Sequence, residues 1–221
     1  MAAVTTSLPH DTGDPGLNAW ILWWNTQAVP LTEAWWNAPI FHPVTGTFAL
    51  SETLLGLTPF TSLVMALGAS PITAYNLVFL LAFPAAGLAT HALAYRLTRR
   101  HDAALLAGLA FAFNPYRSAH LPHVQVLWSC WMPLGLYALH RYVDEHKRRF
   151  LALAGACWLL NALTNGYFLV FFAVLAGCWV LWFPRTWRER FLIVGSFGLA
   201  SIPLAPILVG YAKRQAALGL S

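Results

Sequence analysis

Three carboxylates in the first quarter of the chain are the residues best suited to chemistry. Asp11 and Asp14 come just before an aromatic-rich stretch, and Glu52 follows a second one. A carboxylate pair can act as a general base or hold a divalent cation, so Asp11 and Asp14 are candidates for both roles. A structural alternative stands beside each. Asp14, followed by Pro15, can cap a helix while Asp11 occupies a turn. Glu52 can open the next helix as a partner of its dipole.

A second group of polar residues lies between positions 114 and 125. Arg117 carries a planar guanidinium that could bind a phosphate, although an interfacial anchor is an equally good interpretation. His120 and His123 have the spacing of one helix face, but a metal site needs a third ligand that this stretch lacks. The candidate substrate-binding residues are Tyr116, Arg117, His120, His123 and Gln125.

The composition indicates that these polar residues belong to a membrane protein. Hydrophobic residues make up 58% of the 221, and charged residues only 10%, against about 25% in an ordinary soluble domain. The chain is therefore expected to be an integral membrane protein with membrane lipid as a partner. The net charge of +5 could suggest nucleic acid, but the basic residues sit in short loops between apolar stretches, so no nucleic-acid partner is predicted. Phosphate-binding, dinucleotide and zinc motifs are absent from the sequence.

Residues 1–70 are predicted to form an outward-facing loop that contains amphipathic juxtamembrane helices. A short helix should begin at Asp14, with Leu17, Trp20, Ile21 and Trp24 on one face and Asn18 and Asn25 elsewhere. The apolar stretch 52–68 is short and broken by Pro59, which favours a helix on the membrane surface over one that crosses it.

Residues 71–221 are predicted to form an all-α, polytopic bundle of about six transmembrane helices. The expected spans are about 71–97, 102–113, 122–143, 150–163, 167–183 and 191–211. Ten of the thirteen Lys and Arg residues fall in the loops 96–100, 141–149 and 185–190, which places those loops in the cytoplasm. The carboxylates and the 114–125 group then face outward. Both chain ends are abrupt, and we expect a fragment of a larger polytopic protein.

Five stretches together resemble the GT-C superfamily of polytopic glycosyltransferases. The resemblance is closest to bacterial members of unassigned specificity, and more distant to the protein mannosyltransferases and the aminoarabinose transferases of lipid A. The matching stretches are 13–24, 51–56, 74–76, 111–125 and 163–168. They follow one another along nearly the whole chain, although each is loose by itself.

The resemblance implies an inverting transfer of a sugar from a polyprenyl-phosphate donor to an acceptor on the outer face of a bacterial inner membrane. Asp14 matches the acidic position of the first outward loop, with Asp11 as its neighbour, and Glu52 falls near a second polar position. By this interpretation Asp14 is the base that deprotonates the acceptor, and Arg117 with His120 holds the donor phosphate. A divalent cation at Asp11 and Asp14 is left open.

Two other classes of function remain beside the transferase. One is a truncated integral membrane protein without catalytic activity, and the other is a transporter or lipid-handling protein. A transporter is expected to carry ionisable residues in mid-membrane and an inverted repeat. The polar residues here cluster instead at the outer ends of the predicted spans, which favours an interfacial active site. The sequence assigns neither the sugar, nor the acceptor, nor the oligomeric state.

Overall fold

A computed structural model describes residues 2–9 and 13–219, and in these ranges every regular element is a helix. The helices are α1 Ala2–Thr6, α2 Asp14–Gln27, α3 Glu33–Trp36, α4 Thr58–Ala66, α5 Pro71–Thr98, α6 His101–Ala112, α7 Pro115–Ala119, α8 Val124–Leu127, α9 Trp131–Glu145, α10 Arg148–Thr164, α11 Gly166–Trp182, α12 Trp187–Ser201 and α13 Leu204–Ala217, with a 3₁₀ helix at Thr47–Leu50. The prediction of an all-α fold is confirmed.

Helix length decides which elements could cross a bilayer. Among the described residues α5 alone is a single helix long and apolar enough, with 28 residues and a mean hydropathy of 1.9 in its best window. The pair α12 and α13 passes the same test together but is bent by 51° at their junction. α4 has nine residues, or about 14 Å at 1.5 Å per residue, so it is too short to span. The prediction of six spans exceeds this count and stays a prediction.

Local sequence signals explain where the long helices begin. Ser70 accepts a hydrogen bond from the backbone N–H of Thr73 at 3.1 Å, and Pro71 follows it at the first helical position. Asn165 caps α11 by accepting from Tyr167 N at 2.9 Å. Thr186 and Glu189 form a reciprocal capping box at the start of α12.

The part of the chain before α4 shares a core with the helical bundle that follows it. Trp35, Trp36 and Phe48 are almost completely buried, in one cluster with Tyr75 of α5 and Leu127 of α8. Each such side chain contributes about 1.5–3 kcal/mol when it is fully buried. A second cluster joins α9, α10, α11 and α12 around Leu139, Phe172 and Ile193.

The two ends of the bundle carry different charged contacts. Arg96 pairs with Asp144, and His146 lies 3.8 Å from Glu189, so the three basic loops meet at one end. At the other end, Arg214 pairs with Glu33 at 2.6 Å, and the Tyr211 hydroxyl donates to the carbonyl of Ser51 at 2.6 Å. The two sets of loops therefore occupy separate regions of the fold.

Candidate functional site

Asp14 occupies the first position of α2 and does not cap it. The helix begins where the Asp14–Pro15 pair predicts, but the N-cap is Gly13, and the Asp14 carboxylate makes no capping hydrogen bond. Its Oδ2 lies instead 3.0 Å from Nε2 of His123, with the Asp14 side chain 53% exposed. The capping interpretation of Asp14 is therefore wrong, and the side chain forms a surface pair with an imidazole. Asp11 lies outside the described residues.

The buried face of α2 carries amides, in contrast to the predicted apolar face. Asn18 and Asn25 are almost completely buried, beside Ile21 and Leu22. Asn18 Nδ2 lies 3.3 Å from both the carbonyl of Pro122 and Oε1 of Gln125. Asn18 thus points inward, where the segment 120–125 offers it partners.

Asn25 fixes the segment that carries Glu52. Its Nδ2 donates to the carbonyl of Thr53 at 2.7 Å and to Oγ1 of Thr58 at 2.9 Å. Its Oδ1 accepts from Nε1 of Trp35 at 2.9 Å. A buried amide with all these bonds holds residues 53–58 in one place, since releasing the chain would leave the amide unpaired.

Glu52 stands at a helix N-terminus, but not the one predicted. The helix that follows it begins only at Thr58, and Glu52 itself lies in an irregular segment. Its Oε1 accepts the backbone N–H of Gly166 at 3.0 Å, and Gly166 is the first residue of α11. The carboxylate is therefore a partner of the dipole of α11, 114 residues further along the chain.

Gly56 allows the Glu52 segment to reach α10. Its N–H donates to the carbonyl of Leu163 at 3.0 Å. A Cβ on Gly56 would lie 2.2 Å from Oγ1 of Thr164 and 2.6 Å from the carbonyl oxygen of Leu160. Only a residue without a side chain fits here while the backbone bond is kept.

We predict that Gly56→Ala lowers the free energy of unfolding by about 1–3 kcal/mol, because the added methyl group overpacks a rigid helix end. Thermal unfolding of the purified protein in detergent measures the change. Gly195→Ala is the matched control, since a Cβ at Gly195 in α12 meets no atom within 4 Å. Equal unfolding temperatures for the two variants would contradict the close approach.

Glu52 lines a cavity of about 660 Å³. Apolar side chains from α11 and α13 form most of its wall, among them Val170 and Leu208, and Asn165, Tyr211 and Gln215 add polar groups. Burial raises the pKa of Glu52 above its usual value, and this effect outweighs the hydrogen bonds from Gly166 and Gln125 that lower it. A carboxyl with a raised pKa in a largely apolar cavity has the properties of a general acid or base.

The predicted histidines lie beside Asp14. Nδ1 of His120 is 2.8 Å from the carbonyl oxygen of Tyr116, and the two rings are 4.2 Å apart. The ring of His123 is 5.6 Å from that of His120, and Nδ1 of His123 is buried without a hydrogen-bond partner. Within the described part of the chain, no group of three potential metal ligands comes together.

Arg117 does not belong to this site. The residue is 2% exposed, and its three guanidinium nitrogens donate to backbone carbonyls and one hydroxyl inside the fold. Its partners are Ala112 O at 2.9 Å, Leu127 O at 2.6 Å, Ser129 Oγ at 2.8 Å and Ala82 O at 3.2 Å. The guanidinium therefore joins helix ends to α5, and the prediction that Arg117 binds the donor phosphate is not supported.

A continuous polar row links the two carboxylates that the structure describes. Asp14 contacts His123; Asn18, one turn along α2, contacts Gln125; and the side chain of Gln125 lies near enough to Glu52 to offset part of the rise in the Glu52 pKa. Sequence reasoning had named the two acids, His123 and Gln125 but had missed Asn18. Asn18 could have been found from the sequence, because it lies one helical turn after the candidate acid Asp14 in a helix that is otherwise mostly apolar.

Comparison of the chain with protein-family models, with curated proteins and with solved structures finds no match.

Proposed function

We propose that this chain is an integral membrane glycosyltransferase of the GT-C type. It would transfer a sugar from a polyprenyl-phosphate donor to an acceptor hydroxyl at the outer face of a bacterial inner membrane. The observation that carries the proposal is the placement of Glu52. Its carboxyl, with a raised pKa, lines a largely apolar cavity and belongs to the same polar row as Asp14.

Exposed apolar side chains support insertion in a bilayer. Large apolar side chains stand exposed along α11 and α12, among them Val174, Trp182, Phe191 and Leu199. Such continuous apolar surfaces are unfavourable in water but suit contact with lipid. The proposal takes α5, α6, α9, α10, α11 and the bent pair α12–α13 as six spans. α10 and α11, with 17 residues each, reach the lower end of the usual range of about 17–25, whereas α6 with 12 residues and α9 with 15 are shorter than that range.

The distribution of charge supports the orientation. The basic loops meet at one end of the helices, where positive residues favour the cytoplasmic side. Asp14, Glu52 and the cavity belong to the opposite end, where Arg214 pairs with Glu33. The reaction would therefore occur at the outer face, where a lipid-linked donor can enter from the membrane.

The chemistry follows from one displacement. Glu52 accepts the proton of the acceptor hydroxyl while the hydroxyl oxygen forms a bond to the anomeric carbon of the sugar. The bond from that carbon to the phosphate oxygen breaks, and its electron pair leaves with the polyprenyl phosphate. Attack opposite the leaving group inverts the sugar carbon. Glu52 replaces Asp14 as the proposed base, because Asp14 is half exposed and already paired with His123.

The remaining predicted residues keep supporting roles in the proposal. His120 is half-buried and Tyr116 is exposed, and His120 would contact the donor phosphate in place of Arg117. Gln125 favours the ionised form of Glu52, because its side chain lowers the pKa of that carboxyl. A divalent cation at Asp14 would need ligands from the donor, since the described residues around Asp14 offer too few.

The pH dependence of transfer tests the role of Glu52. Only the ionised carboxylate can accept the proton, so we predict a rate that rises with pH through a midpoint above 4.5, the usual value for a glutamate. The measurement is release of polyprenyl phosphate from a radiolabelled polyprenyl-phosphate sugar in proteoliposomes across a pH series. A midpoint at or below 4.5, or a rate that falls with pH through this region, would contradict a basic Glu52.

A further inference from the structure

A second cavity, of about 350 Å³, lies at the opposite end of the bundle from Glu52. The ends of α5 and α9 form its walls, where Arg96, Arg99 and Arg141 lie with Tyr95, Tyr137 and Glu145. Nothing in the proposed transfer reaction uses this cavity. Three guanidinium groups around one space are the arrangement that proteins use to bind phosphate oxygens.

The charge around this cavity is not neutralised by the fold. Asp144 pairs with Arg96, and Glu145 pairs with Arg141, Lys147 and Arg149, so two carboxylates serve four cations. Arg99 is exposed, and no hydrogen bond or ion pair to the described residues holds its guanidinium. The excess of positive charge favours an anion with several acceptor oxygens.

The face of α5 below the cavity is apolar and open. Ala92, Tyr95 and Arg99 line the cavity at the spacing of one helix face, and Leu88 and Leu81 continue that face toward the middle of the helix. Leu81 is 52% exposed and Leu88 is 69% exposed. A ligand with a phosphate at one end and a hydrocarbon chain at the other would match both parts of this surface.

We propose that this basic cavity binds the phosphate headgroup of an anionic phospholipid, whose acyl chain lies along the Leu81–Leu88 face of α5. The choice of a lipid over a free phosphate follows from the continuity of the two surfaces and from α5 itself, the clearest candidate span in the described chain. Basic cavities at the cytoplasmic ends of transmembrane helices are suited to such headgroups. The inference needs α5 in a membrane but does not depend on sugar transfer.

Lipid binding is tested on the full chain, purified in a neutral detergent and titrated with dioleoylphosphatidylglycerol or dioleoylphosphatidylcholine. Native mass spectrometry counts the lipid molecules bound. We expect the anionic lipid to bind about tenfold more tightly than the zwitterionic one. Arg99→Gln should lower the affinity for the anionic lipid by roughly tenfold, the loss expected for one charge-assisted hydrogen bond. The fold should be unaffected, because Arg99 is exposed and no hydrogen bond or ion pair to the described residues holds its side chain.

Arg188→Gln is the control, since Arg188 is an exposed arginine at the same end but outside the cavity. It should leave the affinity for both lipids unchanged. Equal affinity for the two lipids would overturn the proposal, and so would equal weakening by Arg99→Gln and Arg188→Gln. Inorganic phosphate in large excess is the third arm. Complete displacement of the anionic lipid by inorganic phosphate would show that the cavity binds free anions, and it would contradict the proposal of a phospholipid site.

Discussion

Replacing Glu52 by glutamine is expected to lower the rate of sugar transfer by roughly 10²- to 10⁴-fold, the usual contribution of a general base. The amide keeps the shape of the side chain, and its oxygen can still accept the N–H of Gly166. What is lost is the ability to take a proton from the acceptor. The measurement is release of polyprenyl phosphate from a radiolabelled donor in proteoliposomes.

The stability of the same variant separates catalysis from folding. Burial raises the pKa of Glu52 in the folded protein, so folding favours the protonated form. The stability that this proton provides is complete below the unfolded pKa and is lost as pH rises through the folded pKa. Glu52→Gln removes that loss, so its unfolding temperature should match that of the parent protein near pH 4 and equal or exceed it at pH 8.

Asp102→Asn is the matched control for Glu52→Gln. Asp102 is an exposed carboxylate that pairs with Arg100 at the basic end of the bundle. It does not line the cavity that contains Glu52. Its replacement should leave transfer within a factor of about two, the range expected for a surface change away from the site. A Glu52→Gln protein that is folded and transfers at the parent rate would remove Glu52 from the mechanism.

Replacing Arg117 by alanine is expected to lower the free energy of unfolding by about 3 kcal/mol or more. The substitution leaves the carbonyls of Ala112 and Leu127 buried without their donor, and each unpaired buried group costs about 1–3 kcal/mol. It also empties the space where the guanidinium stacks on the ring of Phe83, 5.3 Å away. Thermal unfolding in detergent, with and without a chemical denaturant, measures the loss.

Arg185→Ala provides the comparison for Arg117→Ala. Arg185 is exposed in the loop before α12, so its replacement should change stability by less than about 0.5 kcal/mol. The prediction also separates two roles for Arg117. A phosphate ligand would lose donor affinity without loss of stability, whereas a residue that joins helix ends would lose stability first. An unfolding temperature equal to that of the parent protein would contradict the structural role.

Much of the helical framework follows from local chemistry. The Asp14–Pro15 pair places the start of α2, Ser70–Pro71 places the start of α5, and the sequence Thr164–Asn165–Gly166 divides α10 from α11. These signals act within a few residues, so the sequence alone is enough to find them. These predicted breaks agree with the structure, but two predicted continuous spans are interrupted: 122–143 is divided between α8 and α9, and 191–211 is divided between α12 and α13 with a bend of 51°.

The candidate site could be predicted only in part, because its contacts join distant parts of the chain. Glu52 and Gly166 are 114 residues apart, and Asn18 and Gln125 are 107 apart, so no local pattern reveals either pair. The helix dipole was the right partner for Glu52, but the helix was α11 instead of the one that follows it. Arg117 was predicted to bind a phosphate, but its guanidinium donates to buried carbonyls. A single arginine in a polar stretch of sequence does not reveal such partners.

Sugar transfer from a lipid-linked donor can be followed with a donor that carries two labels. A polyprenyl-phosphate sugar labelled with tritium in the sugar and with ³²P in the phosphate is incorporated into proteoliposomes that contain the protein and a hydroxyl acceptor. We predict that the labels separate: tritium passes to the acceptor, and ³²P stays in the lipid as polyprenyl phosphate. Two labels that stay together, whether the donor remains in place or crosses the membrane intact, would contradict the account.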